Sequence, residues 1–372
     1  MSKLAEIVIK TPVSIIIPTY REVESIPHVL ARLDEVRRTY DLDLEVLFMD
    51  DDSKDGSAEL VEKSGHAWAR LITRTSDRGL SPAVIEGFRT ARHPVLVCMD
   101  CDLSHPPDKI PQMILALASG QQFAIGSRYV PGGSTDDDWG LLRWINSVVA
   151  TLLSRPLTSV RDPMSGFFAL RKSDFDAAEN LNPIGYKIGL ELIVKCGFEN
   201  VGEVPIHFAD RTHGESKLSF REQLKYLVHL RRLYMHKFEN AMYVAQFLTV
   251  GASGVVVNLG VLTLLLLLGL PESVCIAGGI LVSVVTNFLL NRRFTFSYAR
   301  NRNIWYQFAG FVGASLAGMI VNYSVAMYLN SNVLPNRPGS LYLAALAGIG
   351  SGLIFNFLGN RYVVFRKRYI ND

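Results

Sequence analysis

Two aspartates separated by a single residue are the groups in this sequence most suited to chemistry. Asp100 and Asp102 lie in the stretch VLVCMDCDLSHPPD, residues 95 to 108, where an apolar run ends. Residues two apart on an extended chain point to the same side, so the two carboxylates converge. Convergent carboxylates next to a phosphate form a hard oxygen site that suits Mg²⁺ or Mn²⁺. The alternative is that Asp102 or Ser104 only caps a helix that starts near Pro106.

Three apolar runs, rich in β-branched residues, position these aspartates. The runs are VSIIIPTY (13 to 20), DLEVLFMDDDS (43 to 53) and PVLVCMDCD (94 to 102). Such near-continuous runs are typical of strands that are buried on both faces of a parallel sheet. Helical patterns lie between them at 24–40 and at 81–92, where Ser81 is predicted to cap the helix and Pro82 to take its first position. The alternation predicts an α/β fold with a mostly parallel sheet.

Polar residues follow each of the three predicted strands. The first strand ends in Pro18 to Glu22, the second in Asp50 to Ser53 and the third in Asp100 to Asp102. Ligands of open α/β sheets bind beyond the carboxyl ends of the strands. We therefore expect these three segments to meet at one edge of the sheet.

Cysteine and histidine give no sign of a disulfide framework or a zinc site. Four scattered cysteines are too few for a framework, and the side chains of Cys98 and Cys101, in a C-x-x-C pair, should point to opposite faces of a strand. His105, His207 and His213 fit no common zinc spacing. We interpret these histidines as structural or loop residues.

The composition divides the chain of 372 residues into two parts. Its residues are 49% hydrophobic and 20% charged, and the mean hydropathy of +0.19 is high for a wholly soluble protein. Residues 1–240 carry most of the charge, whereas residues 241–368 carry long apolar runs. The N-terminal sequence has no uninterrupted apolar core, which predicts that the first part stays in the cytosol. The net charge of +3 is too small to indicate nucleic acid binding.

Four apolar segments of the second part are about the length that crosses a membrane. They lie at about 245–268, 273–290, 305–329 and 341–358. Arginine and lysine cluster before the first segment, between the second and third, and after the fourth, whereas the two opposite loops carry only Arg337. The positive-inside rule then predicts a multi-pass protein of the cytoplasmic membrane, with both ends and the first part facing the cytosol.

The second part also contains an internal repeat. QFLTVGAS (246 to 253) recurs as QFAGFVGAS (307 to 315), and NFLLNRRFTF (287 to 296) recurs as NFLGNRYVVF (356 to 365). Each repeat holds two spans and returns the chain to the same side, so the repeats are parallel in topology. Asparagines at 258, 287, 322 and 356 lie within or at the ends of spans, where polar groups usually bridge helices.

Seven motifs in a fixed order carry a resemblance to a known family. They are IIIPTYRE, DDDSKDGS, RGLSPAVIEGF, MDCDLSHPP, GSRYV, VRDPMSGFFALRKSDF and FADRTHGESKLS. Over roughly residues 10 to 235 they resemble family 2 glycosyltransferases with the GT-A nucleotide-sugar fold, and the last two resemble dolichyl-phosphate mannose synthases and their polyprenyl-phosphate relatives. Residues 241–368 resemble the GtrA-like domain, which is linked to polyprenyl-phosphate sugars. The resemblance implies a GT-A catalytic domain at 1–235 and a four-helix transmembrane domain at 241–368.

The resemblance also implies roles for residues at matching positions. The residues that it places at the nucleotide sugar are Pro18, Tyr20, Glu22, Phe48, Asp50, Asp100, Cys101, Asp102, Lys187, Arg211 and Lys217. Those at the lipid phosphate are Arg128, Arg143 and Ser147, and those at the metal are Asp100, Asp102 and Ser104. The residues expected to carry catalysis are Asp102, Arg128 and Arg211. Some relatives have Gln at the position of Ser104, so its role as a ligand is an expectation.

The implied reaction is an inverting transfer of mannose from GDP-mannose to a dolichyl or polyprenyl phosphate, with Mg²⁺ or Mn²⁺ as cofactor. One alternative is the same reaction with a UDP-sugar, carrying glucose or an N-acetylhexosamine. Another is a lipid-linked-sugar flippase with an inactive transferase-like domain, against which the intact Asp100, Asp102, Arg128 and Arg211 argue. A third is a processive polysaccharide synthase, but the chain lacks the Q-x-x-R-W segment typical of those enzymes.

Two amphipathic segments are predicted to form helices at about 140–155 and 219–238. Each combines apolar residues on one side with basic residues, a pattern that often lies in the membrane interface. The alternative is that both helices pack on the sheet. We favour contact with the interface because the implied acceptor is a lipid.

Overall fold

The computed structural model describes residues 11–136, 141–185, 187–209, 220–334 and 340–366. The chain forms two compact units, Met1–Lys237 and Phe238–Asp372. The first unit is an α/β domain, and the second consists of long apolar helices.

A seven-stranded sheet forms the centre of the first unit. The strands of this unit, including the separate pair β6 and β9, are β1 (Val13–Thr19), β2 (Leu44–Asp50), β3 (Ala69–Thr73), β4 (Val95–Cys98), β5 (Phe123–Ser127), β6 (Ser134–Thr135), β7 (Phe168–Arg171), β8 (Val201–Pro205) and β9 (His207–Phe208). The order across the sheet is β3-β2-β1-β4-β7-β5-β8, and all neighbours are parallel except the two pairs that include β7. The prediction of a mostly parallel sheet is confirmed.

Helices cover both faces of this sheet. They are α1 (Ile26–Tyr40), α2 (Ser57–Lys63), α3 (Leu80–Thr90), α4 (Ile110–Ala118), α5 (Leu141–Ser154), α6 (Lys172–Asp176), α7 (Ile188–Lys195) and α8 (Phe220–Lys237), with a 3₁₀ turn at Pro107–Lys109. Successive strand residues point to opposite faces. Ile15 and Phe48 therefore pack with α1 and α4, whereas Ile16 and Met49 pack with α3 and α7. Burial on both faces explains why these strands read as continuous apolar runs.

Helix α3 begins in a way that the sequence did not reveal. Its N-cap is Gly79, whose φ of +134° few other residues adopt, and Ser81 is not the cap. The buried Ser81 hydroxyl instead donates to the carbonyl oxygen of Gly185 at 2.6 Å. The prediction that Ser81 caps α3 is wrong because its hydroxyl is taken by a loop that is distant in sequence.

The second unit contains α9 (Glu239–Leu267), α10 (Glu272–Leu290), α11 (Ile304–Tyr328) and α12 (Ser340–Gly359). π-Helical turns at Asn291–Thr295, Leu329–Val333 and Asn360–Val364 extend α10, α11 and α12. The apolar spans are Glu239–Leu267, Glu272–Thr295, Ile304–Val333 and Leu343–Val364, and each is long enough to cross the hydrocarbon core of a bilayer. The prediction of four spans is confirmed, and the chain is a multi-pass membrane protein.

Asparagine and glycine pair the helices within each repeat. A Cβ on Gly279 of α10 would overlap Asn258 of α9, and a Cβ on Gly348 of α12 would overlap Asn322 of α11. Small residues allow such close approach of membrane helices. Asn258 and Asn322 therefore lie at the contacts between helices, and their role in bridging them stays a prediction.

The two copies of the second motif of the repeat contact each other. Phe296 and Phe365, the last residues of the two NFL motifs, stack on each other with ring centroids 4.8 Å apart. Contact between equivalent residues indicates a pseudo-two-fold relation between the hairpins, as parallel repeats allow. The QF motifs are displaced from this relation by about one helical turn. Asn258 and Asn322 face the equivalent glycines Gly279 and Gly348, and Asn322 lies three residues further along the chain than the spacing of the QF motifs predicts.

We expect Gly279→Ala and Gly348→Ala to destabilise the full-length protein by about 1–3 kcal/mol each, because the added methyl group overfills a packed interface. Gly251→Ala and Gly350→Ala are matched controls, since a Cβ at either position has no atom within 4 Å. The measurement is the temperature at which half of the detergent-purified protein leaves the monodisperse chromatographic peak. Equal temperatures for all four variants would contradict this account of the packing.

Candidate active site

The acidic pair lies in the loop after β4. Asp102 Oδ1 accepts hydrogen bonds from the Ser104 N–H at 3.1 Å and from the Ser104 hydroxyl at 2.6 Å. Leu103 turns the chain between them with a φ of +59°, which bulky residues rarely adopt. The following 3₁₀ turn begins at Pro107, with Pro106 as its N-cap and no side-chain cap. The alternative that Asp102 or Ser104 serves as a helix cap is therefore wrong.

His105 fixes the backbone of this loop. The N–H of Asp100 donates to His105 Nδ1 at 2.9 Å, so this nitrogen carries no proton and the neutral ring is protonated on Nε2. The ring is buried, with centroid distances of 5.3 Å to Phe167, on which it stacks, and 5.7 Å to Phe208. Nδ1 lies 3.8 Å from Asp100 Oδ2, but an unprotonated nitrogen forms no ion pair. These contacts agree with the interpretation of His105 as a structural residue.

Oxygen atoms of Asp100, Asp102 and Ser104 are donors of the kind that Mg²⁺ and Mn²⁺ prefer. The Asp100 side chain is 27% exposed, and no residue in the described ranges donates a hydrogen bond to its carboxylate. Within the same ranges no three His, Cys, Asp or Glu side chains are grouped to hold a metal by themselves. The residues therefore fit a cation whose remaining ligands are phosphate and water oxygens, as is usual for Mg²⁺.

The acidic run after β2 is engaged in contacts within the protein. Asp50 accepts from the Ser53 N–H at 3.0 Å and also from the Ser53 hydroxyl. Asp51 pairs with the buried Arg74, a residue that the sequence analysis did not single out. Phe48 is fully buried inside β2 and does not reach the strand end. The structure thus brings Asp50 to the edge but keeps Phe48 in the core.

The end of β1 contacts both neighbouring strand ends. The N–H of Arg21 donates to Ser53 Oγ at 2.8 Å, which joins the ends of β1 and β2. The buried Cys101 thiol donates to the Glu22 carboxylate, and burial together with this neighbour raises the pKa of the thiol far above its ordinary value. Pro18 lies inside β1, and the Tyr20 ring is exposed. The expectation that the three segments meet at one edge is confirmed.

Cys98 and Cys101 belong to hydrophobic clusters on opposite faces of the sheet. The prediction that this pair points to opposite faces is confirmed.

Arg128 is held by Asp162, which the sequence analysis did not identify. Nε and Nη2 of Arg128 donate to the two Asp162 oxygens at 2.7 and 2.8 Å, and the Arg128 N–H adds a third bond at 3.1 Å. Asp162 is fully buried, and the Arg128 side chain is 9% exposed. The guanidinium carbon lies 5.2 Å from the ring centroids of both Tyr129 and Phe208. Bidentate pairing of this kind fixes the orientation of the guanidinium as well as its charge.

Lys187 precedes α7 and lies in the field of the same groups. Its Nζ is 3.5 Å from the carbonyl oxygen of Met164. Burial and the nearby Arg128 lower the pKa of Lys187 to about 8, while Asp162 and Asp100 act in the opposite direction. We refer to Asp100, Asp162, Arg128 and Lys187 as the charge cluster. It joins the ends of β4 and β5 to the start of α7.

The structure describes only some of the other residues that are expected at the lipid phosphate and the nucleotide sugar. The hydroxyls of Tyr129 and Ser147 lie 2.8 Å apart, which connects the end of β5 to α5. Arg143 belongs to the first turn of α5, but the structure does not describe its side chain. Arg211 and Lys217 lie wholly outside the described residues. The roles of these three residues stay predictions.

Helices α5 and α8 pack together and share an exposed apolar surface. The hydroxyls of Tyr226 and Tyr234 on α8 donate to the carbonyl oxygens of Ala150 and Leu153 on α5, at 2.7 and 2.8 Å. We define the α5–α8 apolar surface by its exposed side chains, Ile145, Val148, Val149, Leu152, Leu153, Leu224, Leu227 and Val228. Large exposed apolar patches are typical of sites that contact a membrane or another protein.

Comparison with known proteins gives matches to both parts of the chain. Residues 14–178 match glycosyl transferase family 2, and residues 246–365 match the GtrA/DPMS transmembrane domain. A dolichol-phosphate mannosyltransferase of Pyrococcus furiosus is 37% identical over 362 residues, which are 95% of this chain and 99% of that protein.

Two further relatives match a shorter part of the chain. A dolichol-phosphate mannosyltransferase of Mycosarcoma maydis is 43% identical over 235 residues, 60% of this chain and 80% of that protein. A polyprenol monophosphomannose synthase of Mycolicibacterium smegmatis is 35% identical over 221 residues, 55% of this chain and 80% of that protein.

We expect Asp162→Ala to lower the thermal unfolding midpoint of the first unit by about 6 °C or more, since it leaves a buried guanidinium without its partner. Asp174→Ala is the matched control, because Asp174 pairs with Arg171 at 3.5 Å on the surface. It should change the midpoint by less than about 3 °C. Differential scanning fluorimetry of the full-length protein measures both. Equal shifts of the midpoint in the two variants would contradict the claim that Asp162 stabilises the first unit by pairing with Arg128.

The expected role of Lys187 at the nucleotide sugar predicts an alkaline limit to donor binding. Its ammonium group is charged below its pKa of about 8 and loses its charge as the pH rises through that value. Because the free enzyme sets kcat/KM for the donor, this ratio should fall above pH 8, while kcat at saturating donor should fall less. Lys187→Arg keeps its charge throughout and should remove the limb. The same alkaline limb in wild type and Lys187→Arg would exclude Lys187 as its source.

Proposed function

The chain belongs to glycosyl transferase family 2, in the group of dolichol-phosphate mannosyltransferases that carry a GtrA/DPMS transmembrane domain, and we propose that it transfers mannose from GDP-mannose to a dolichyl or polyprenyl phosphate. It is a membrane-embedded glycosyltransferase, with four spans among the residues that the structure describes.

The observation that carries the proposal is the charge cluster at the carboxyl edge of the sheet. Transfer of a sugar between two phosphates requires cations where the anions meet. Arg128 and Lys187 supply these cations, and they are close enough for the charge of Arg128 to lower the pKa of Lys187. An acidic pair stands beside them at the end of β4, where a nucleotide diphosphate would lie in an open α/β sheet.

The proposed reaction is a single displacement. An oxygen of the lipid phosphate attacks the anomeric carbon of mannose, the bond from that carbon to the donor diphosphate breaks, and GDP leaves with the electron pair. The configuration at the anomeric carbon inverts. A phosphate monoester has a second pKa of about 6, so the nucleophile is already ionised near neutral pH and needs no strong general base. The contribution of the protein is to neutralise and align the two anions.

The acceptor phosphate is assigned to Arg128, with Arg143 and Ser147 on α5. Asp162 holds the guanidinium of Arg128 in a fixed plane, and Tyr129 links this end of β5 to Ser147. Through the α5–α8 apolar surface the first unit can insert into the interface of a bilayer. Insertion would bring the phosphate of a membrane lipid close to Arg128. Lys187, Arg211 and Lys217 are assigned to the donor phosphates.

Asp100, Asp102 and Ser104 would hold the divalent metal, Mg²⁺ or Mn²⁺. Such an ion offsets the negative charge of a leaving diphosphate. The turn that Asp102 forms with Ser104 sets the direction of the Asp102 carboxylate in advance.

The first unit is proposed to face the cytosol. Arg292 and Arg293 lie at the end of the second span, and Arg300 and Arg302 lie in the loop that follows it. Arg361 and Arg366 lie at the end of the fourth span. The first unit precedes the first span, and every two spans return the chain to the side on which it started. The first unit is therefore proposed to lie on the same side as these arginines. The positive-inside rule places this side in the cytosol.

The decisive test offers the purified full-length protein GDP-mannose, UDP-glucose or UDP-N-acetylglucosamine, each with a polyprenyl phosphate and Mg²⁺ or Mn²⁺. Mass spectrometry of the lipid fraction should find a mannosyl phosphate lipid from GDP-mannose alone. The unphosphorylated polyprenol is the matched control and should give no product. A product from a UDP-sugar, with none from GDP-mannose, would overturn the donor assignment. Chelation of the metal should stop the reaction, and full activity without a divalent ion would overturn the metal assignment.

A further inference from the structure

The arginine that follows each NFL motif of the repeat has a different environment in the two copies. Arg292 in the first copy corresponds to Arg361 in the second. Nε of Arg292 donates to Gln307 Oε1 at 2.8 Å. Its Nη2 donates to the carbonyl oxygens of Arg300 and Arg302, at 2.5 and 3.2 Å. Acceptors of the protein therefore engage Arg292, which holds the loop between the second and third spans.

Arg361 makes far fewer polar contacts than its counterpart. A guanidinium has five N–H donors. Among the residues that the structure describes, Asn240 alone accepts from Arg361, through its Oδ1 at 2.6 Å from Nη2, and no carboxylate pairs with this arginine. The side chain is nevertheless partly buried, and burial of a cation without an anionic partner is unfavourable. The remaining N–H groups are suited to an anionic ligand.

Aromatic rings orient this guanidinium. Its central carbon lies 4.4 Å from the ring centroid of Tyr243, and 5.4 and 5.9 Å from those of Tyr362 and Phe357. Tyr243 and Asn240 belong to α9, whereas Arg361 belongs to the π-helical turn after α12, so these contacts join the first and fourth spans. The orientation is set before any ligand binds, and a planar fork held in this way matches the oxygens of a phosphate.

The charge around Arg361 is positive. Tyr298, in the loop after the second span, has its ring centroid 5.9 Å from that of Tyr243. Burial, together with Tyr243 and Glu239, raises the pKa of Tyr298 to about 12, while Arg361 and Arg302 act in the opposite direction. Two arginines and one glutamate thus act on the same ring, and the positive charges outnumber the negative one.

The site lies where lipid head groups would be. Asn240 and Tyr243 are in the first turns of the first span, and Arg361 is in the last turn of the fourth. Tyrosine and arginine at the ends of spans are typical of the membrane–water interface, which is the level of the lipid phosphates. Basic pockets between spans on the cytoplasmic side bind such head groups in other membrane proteins.

From these observations we propose that Arg361 binds the phosphate group of a membrane lipid, with Tyr243 and Asn240 as the residues that position it. The guanidinium donates to two oxygens of the phosphate, and no covalent bond changes. The ligand is an anionic phosphate on an apolar chain, which a polyprenyl phosphate and an anionic phospholipid both provide. The site shares no residue with the charge cluster and does not depend on the reaction proposed for the first unit.

The test counts lipids on the full-length protein by native mass spectrometry, as polyprenyl phosphate or phosphatidylglycerol is added in detergent. Wild type should show a tight binding step whose dissociation constant rises about tenfold or more in Arg361→Gln, because a charged donor is lost. Asn240→Asp should weaken the same step, since a carboxylate then competes with the phosphate for the guanidinium. This second variant keeps the contact between the first and fourth spans, so a loss of binding is not a loss of folding.

Arg293→Gln is the matched control, because Arg293 is an exposed arginine of the same unit that lies over its neighbour Phe294. It should leave the binding step unchanged, and unphosphorylated polyprenol should lack the step. A preference for polyprenyl phosphate would identify the acceptor lipid as the occupant, and equal binding of phosphatidylglycerol would identify bulk lipid. Both results support the site.

Three results would overturn the proposal. In the first, Arg361→Gln binds both phosphate lipids as wild type does. In the second, Arg293→Gln weakens binding as much as Arg361→Gln. In the third, polyprenol shows the same binding step as polyprenyl phosphate. A lipid bound in the proposed active site would add its own step in every variant, so failure of this site is distinguishable from failure of the proposed function.

Discussion

The first unit depends on the buried ion pair between Arg128 and Asp162. Cations collected at one place to meet two phosphates repel each other, and burial makes each of them more costly to charge. Asp162 counters both effects, because it binds the guanidinium with both oxygens and attracts Lys187. A buried carboxylate without these partners would be unfavourable, and so would a buried guanidinium without Asp162. The pair therefore allows Arg128 and Lys187 to keep their positive charges in a largely buried site before substrate binds.

The rest of the fold directs groups toward this pair. The parallel strands β1, β2 and β4 end at the same edge and deliver the acidic residues there. Antiparallel β7 separates β4 from β5, so Asp100 and Arg128 lie two strands apart, at the same edge of the sheet. Side-chain links from α3 and α5 fix the loops at Gly185 and Tyr129, and a link from α8 holds helix α7. A layered α/β core thus supplies rigidity, and the loops beyond it supply chemistry.

Much of this arrangement could be predicted from the sequence, and the failures have physical reasons. Continuous apolar runs identify β1, β2 and β4 because burial on both faces leaves a strong local pattern. Ser81 was assigned to a helix cap because a local rule applies to it, yet its hydroxyl serves Gly185 across the fold. The contacts of Asp162 with Arg128 and of His229 with Glu191 join residues far apart in sequence, and no periodic pattern marks such contacts. In the membrane unit the repeat reveals the two hairpins, but the equivalence of Asn258 and Asn322 follows from packing.

The central claim is that the lipid phosphate itself is the nucleophile and that the donor loses its nucleoside diphosphate. The most direct measurement uses GDP-mannose labelled with ³²P in its β-phosphate, an unlabelled polyprenyl phosphate and the full-length protein. Chromatography then shows which product carries the label. The account predicts labelled GDP and an unlabelled mannosyl lipid, in equal amounts. Label in the lipid, with release of GMP, would mean that a sugar phosphate is transferred, and it would contradict the account.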